Sequence, residues 1–131
     1  MDWTSFLTDS RSINALYSRP PSLHKIRVPE VRLHQDGPTV SIQFDVEEMP
    51  EIIPKKWLAA KANRVQITLL LIDIVELTIS DWRRDNLGAI VVTGDEGSVN
   101  VRFVQIDGIA TMAFSVKHLS IQSISAYCSE A

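Results

Sequence analysis

Acids crowd one short stretch of this 131-residue chain: Asp45, Glu47, Glu48 and Glu51, with Asp95-Glu96 as a second pair further on. Two carboxylates can share glycosidase-like chemistry, provided burial and neighbours push their pKa values apart. A strand end, a loop and a hairpin tip are solvated places, so these acids read instead as an acidic edge. Such an edge steers a basic partner and sets specificity. Trp57, in an irregular proline-punctuated segment, either pins that segment down or anchors a partner. The candidate partner-binding residues are therefore Glu47, Glu48, Glu51, Trp57, Asp95 and Glu96.

Other chemistries lack a local signature. His24, His34 and His118 lie far apart, and no HxH, HExxH or CxxC spacing occurs, so no metal-binding residues are expected. Cys128 has no sequence context that would generate a thiolate. There is no GxSxG elbow and no glycine-rich phosphate loop. Glycines 37, 88, 94, 97 and 108 fall where hairpin turns are expected to need them. No catalytic residue and no cofactor is expected. Lys55-Lys56 and Arg83-Arg84 are too short for a nucleic-acid surface, and the net charge of −3 argues the same way.

The elements that must position these residues follow from periodicity. Trp3, Phe6 and Leu7, then Ile13, Leu16 and Tyr17, are spaced i, i+3, i+4, which predicts one bent helix or two short ones over residues 1–18. Pro20 and Pro21 end it. Thereafter the period is two. Val31 and Leu33, the Asp36-Gly37-Pro38 turn, and Val40, Ile42, Phe44 and Val46 predict a hairpin. Prolines 50 and 54 make Glu47–Ala62 a loop, with one helical turn over Lys55–Lys61.

Asn63–Ile72 reads as a strand buried on both faces, because alternation gives way to Leu69-Leu70-Leu71-Ile72. A helix competes there, but eight of the seventeen residues from Asn63 to Ile79 are β-branched. Asp73 marks a turn or bulge, and Val75, Leu77 and Ile79 resume alternation up to Trp82. Trp3 and Trp82 are expected to plug the margins of the core. Shorter strands follow at Ala89–Val92, at Val99, Val101 and Phe103, at Ala110, Met112, Phe114 and Val116, and from Leu119 to Tyr127. The fold class is mainly β (α+β): an antiparallel sheet folded as a sandwich or strongly bent, with a short N-terminal helical segment.

Length predicts a single domain over 1–131, with a helical segment at 1–18 and a β-rich body at 22–128. The 45% hydrophobic and 22% charged content is that of a globular domain able to bury a core. One cysteine allows no internal disulfide, the first residues lack an apolar stretch of signal-peptide length, and no apolar run spans a bilayer. A cytoplasmic protein with no membrane partner is expected.

One ordered set of structural residues has a family pattern. It runs Trp3, Leu16-Tyr17, Pro21-Ser22-Leu23, Gly37-Pro38, Pro50, Pro54-Lys55-Lys56-Trp57, Asn63-Arg64-Val65-Gln66 and Trp82. This spacing resembles the Imm50 family of bacterial immunity proteins, which accompany polymorphic or contact-dependent toxins. The resemblance covers roughly residues 2–82. It implies a cytoplasmic, non-enzymatic protein that binds and neutralises a cognate toxin encoded by an adjacent gene, and it supplies no binding residues. A monomer or a homodimer through an uncovered sheet edge fits equally. Two other classes stay open on the residues alone. A ligand-binding or regulatory β-domain would show a deep apolar pocket, and an enzyme with a dispersed site would show buried acids or histidines with perturbed pKa values.

Overall fold

In the computed structural model, which describes residues 2–95 and 97–129, six antiparallel strands close into a barrel in the order β1-β2-β3-β6-β5-β4. The strands are β1 (Ile26–His34), β2 (Thr39–Val46), β3 (Arg64–Ile79), β4 (Leu87–Asp95), β5 (Ser98–Gln105) and β6 (Ala110–Tyr127). Of the two ways expected for folding the sheet, bending prevails, and it proceeds to closure. The seam is short: β1 meets β4 only at Ile26↔Gly88 and Arg27↔Leu87. Val28 N–H donates to Asn86 O (2.9 Å) and Ile90 N–H to Leu23 O (3.0 Å), extending the seam at each end.

Alternation fills the interior. Val40, Ile42, Phe44 and Val46 on β2, and Val65, Ile67, Leu69 and Leu71 on β3, are buried together. Val99, Val101 and Phe103 on β5 and Met112, Phe114, Val116 and Leu119 on β6 complete the packing. The inward set is rich in branched and aromatic side chains, which suit a half-buried pleated surface. A barrel of so few strands leaves room for side chains and little else.

The N-terminal segment forms two short pieces, a 3-10 turn at Trp3–Phe6 and α1 (Arg11–Leu16). The Asp9 carboxylate accepts from Arg11 N–H (3.0 Å) at the start of α1. From there α1 sends Ile13 into the core, and Tyr17 follows it. Trp3 Nε1–H donates to Pro21 O (2.9 Å) and packs against the core margin, as expected of it. Leu7 bridges to Leu119, covering part of the β6 edge that β5 leaves open.

Four expectations need correction. Leu70 and Ile72 are half-buried rather than buried, since among the described residues no helix covers the outer face of β3. Gly88 lies inside β4, not in a turn, and a Cβ there would stand 2.0 Å from Val104 O. Ala110 is exposed, because a register shift between Phe103 and Val104 turns Thr111 inward in its place. Trp82 does not plug the core: it is 50% exposed. Asp73 does mark a bulge, with φ +61° and a register shift between Ile74 and Glu76.

Candidate partner-binding surface

β2 stops at Val46 because Pro50 and Pro54 cannot continue a ladder. The loop that follows lies against the N-terminal segment. Tyr17 Oη–H donates to Glu48 O (2.7 Å), Ser18 N–H to Glu51 Oε2 (3.3 Å) and Ser22 N–H to Glu48 Oε1 (3.5 Å). Glu47, Glu48 and Glu51 thus remain exposed but stand on a backbone held in place. After Pro54, whose carbonyl accepts from Trp57 N–H (2.9 Å) and Leu58 N–H (3.1 Å), the chain makes α2 (Lys55–Ala59). Trp57 is half-buried and packs against the core cluster, so it fastens this loop.

Glu47 does not stand in a field of uncompensated acid. Arg64 lies 3.5 Å from it, and Arg27 pairs with Asp85 at 3.0 Å. Asp45 accepts from Gln66 Nε2–H (3.0 Å) and from Tyr127 Oη–H (2.8 Å). Partial burial, then the bond to Asp45, pushes the Tyr127 phenol above its ordinary value. Arg27, Asp45, Glu47, Arg64 and Tyr127, with Lys25, line a small polar cleft of about 90 Å³. Exposed ion pairs of this kind contribute about 1 kcal/mol or less each, so their value here is directional rather than stabilising.

Next to that cleft is a larger one of about 510 Å³, with an apolar floor. Leu87, Ala89, Val104 and Ile106 form the floor, and His24, Lys25 and Glu47 stand at its rim. Ile106 is 71% exposed. The cleft rests on a fixed polar layer. Gln105 Nε2–H donates to Asn86 Oδ1 (2.9 Å) and to Thr111 Oγ1 (3.1 Å), with all three residues buried. An apolar floor with charges at its rim is the general layout of a protein-recognition patch.

The structure brings Glu47, Glu48, Glu51 and Trp57 into one region. Asp95 stands elsewhere, exposed at the far end of β4, eight residues from Leu87 beside Glu47 and so roughly 25 Å along the strand. Glu96 falls outside the described residues. Among the described residues no three His, Cys, Asp or Glu side chains converge as a metal site would require. Leu87 and Ile106 carry no expectation in the sequence, and Trp82 was expected at the core margin rather than on the surface. The signal was present at the turn Ile106-Asp107-Gly108-Ile109, where two isoleucines flank a tight reversal that would ordinarily be polar.

A family model described as Immunity protein 50 matches residues 9–127. The chain belongs to the Imm50 family. The match takes in β4, β5 and β6, so the family pattern continues well past Trp82, where the resemblance read from sequence stopped. No curated protein and no solved structure matches this Imm50 chain. Among its described residues no helix is long and apolar enough to cross a membrane.

Proposed function

We propose that this Imm50 protein binds a cognate bacterial toxin and neutralises it by covering or locking its active site, without catalysis of its own. The observation that carries this reading is the family match over residues 9–127. The fastened acidic loop beside an apolar cleft supports it physically. A binder whose contact groups are held beforehand loses less entropy on association. The contact surface in this reading is Glu47, Glu48, Glu51 and Trp57, with Asp95 and Glu96 as a separate acidic spot at the β4 tip. The protein acts as a single domain, monomeric or homodimeric, in the cytoplasm of the cell that makes the toxin, against the product of an adjacent gene in a polymorphic or contact-dependent system.

Co-expression with the adjacent gene product is the test. Rescue of growth from a toxic neighbour, together with a complex recovered by co-purification, supports the reading. A neighbour that is harmless and does not bind removes it.

A further inference from the structure

β3 is longer than the strand beside it. Pairing with β2 ends at Thr39↔Ile72, and β3 continues to Ile79 with only β6 on its other side. Beyond Ile72 the β2 side offers, among the described residues, one backbone hydrogen bond, Ile74 N–H to Pro38 O at 3.1 Å. Ser80 N–H donates to Thr111 O (2.8 Å), toward β6. Backbone groups alternate sides along a strand, so Leu77 and Ile79 direct their N–H and C=O away from β6, where no described strand lies.

The side chains along this edge are apolar and open: Val75 is 69% exposed, Leu77 37% and Ile79 36%, with Trp82 just beyond. An uncovered apolar edge is a template for another strand, and proteins ordinarily guard it with lysine or proline. Residues 73–82 contain neither. They contain Asp73, Glu76 and Asp81, and no base. Asp81 is paired with Arg83 (2.8 Å), which also holds Asp107 (2.8 Å). That leaves Asp73 and Glu76 as the edge's acids without an ion pair among the described residues; Arg102 lines the same shallow outer face as Glu76. Through Arg83 and Asp107 the edge joins the Ile106 turn, and hence the apolar cleft beside Glu47.

We infer that the Val75–Ile79 edge takes an extended strand of the toxin, one bearing lysine or arginine among apolar residues, as an added strand of the sheet. This rests on the toxin-binding reading above. Self-pairing of two such edges would set the acids of both copies across a shared face, whereas a basic strand neutralises them. Backbone bonds along Leu77 and Ile79 supply affinity, and Glu76 selects the charge of the incoming face.

The probe is the purified product of the adjacent gene, carrying an inactivating substitution. Val75→Lys/Ile79→Lys and Glu76→Lys are expected to weaken its binding by about tenfold or more, while Leu33→Lys, at an exposed site on β1, leaves it unchanged. Amide exchange at residues 75–79 should slow on complex formation in the wild type, a readout independent of whether the double variant folds. Unchanged affinity in folded edge variants and unchanged exchange, with the wild type still bound, overturns this inference but not toxin binding. Failure of the wild type to bind overturns both. A wild-type dimer that dissociates on Val75→Lys makes a second copy the occupant and also overturns it.

Discussion

Tyr17 Oη–H donates to the carbonyl oxygen of Glu48 across 31 residues of sequence, at 2.7 Å. The bond ties the end of α1 to the acidic loop from inside, since Tyr17 is almost wholly buried. Tyr17→Phe keeps the ring and removes the donor. It should cost about 1 kcal/mol, the usual net contribution of an intramolecular hydrogen bond, read as a shift in denaturant midpoint at neutral pH. A larger effect on toxin affinity than on stability would show that the bond also fixes the loop for binding.

The same phenol makes a pH prediction. Burial first, and the Glu48 charge second, raise its pKa above the ordinary value of 10.0. The folded state therefore favours the protonated phenol. Its stabilisation is complete below pH about 10 and is lost as pH rises further, because the unfolded chain releases that proton first. Denaturant midpoints should fall between about pH 9.5 and 11 in the wild type. The fall should be shallower in Tyr17→Phe, with Tyr127 supplying part of what remains.

Gly88→Ala should be strongly destabilising. Its Cβ would meet Val104 O at 2.0 Å and Gln105 Cα at 2.9 Å, both backbone atoms that side-chain rotation cannot relieve. Overpacking costs about 1–3 kcal/mol even where side chains can yield, so a loss at or above the top of that range is expected, seen by thermal melting. Because Gly88 pairs with Ile26 at the seam, faster amide exchange should concentrate in β1 and β4. A melting temperature like that of the wild type would disprove the close approach.

Asn86→Ala strips a partner from Gln105 and from the Arg83 backbone, whose N–H and O both bond the Asn86 side chain at 3.2 Å. With Asn86 and Gln105 buried, a loss of about 2–3 kcal/mol is expected. Asn86→Asp keeps the acceptor but loses the donor and should fall between the two.

Glu47→Lys/Glu48→Lys/Glu51→Lys should leave the fold nearly intact, since all three side chains are exposed and exposed pairs contribute about 0–1 kcal/mol each. Slower association with the toxin, and a weaker dependence of that rate on salt, are the expected results. If affinity and rate both match the wild type, this loop is not the contact surface.

Much of this protein was legible along the chain. The inward sets on β2, β3, β5 and β6 follow from alternation, because a strand's side chains can only take turns between two faces. Pro50 and Pro54 announced the loop, and Asp73 the bulge, since a proline lacks a donor and an aspartate tolerates the left-handed backbone. The acidic candidates Glu47, Glu48 and Glu51 were placed correctly as exposed loop residues.

What sequence could not decide was which strand lies beside which, and therefore which edge is left over. Val75, Leu77 and Ile79 have the same residue types as the core, but β2 starts at Thr39, opposite Ile72, and leaves this part of β3 without a partner on that side. The inward turn of Thr111 and the close approach at Gly88 likewise depend on register between strands distant in sequence. Periodicity is a property of one segment, fixed by its own side chains. Exposure of an edge is a property of its neighbours, and those are chosen only when the sheet closes.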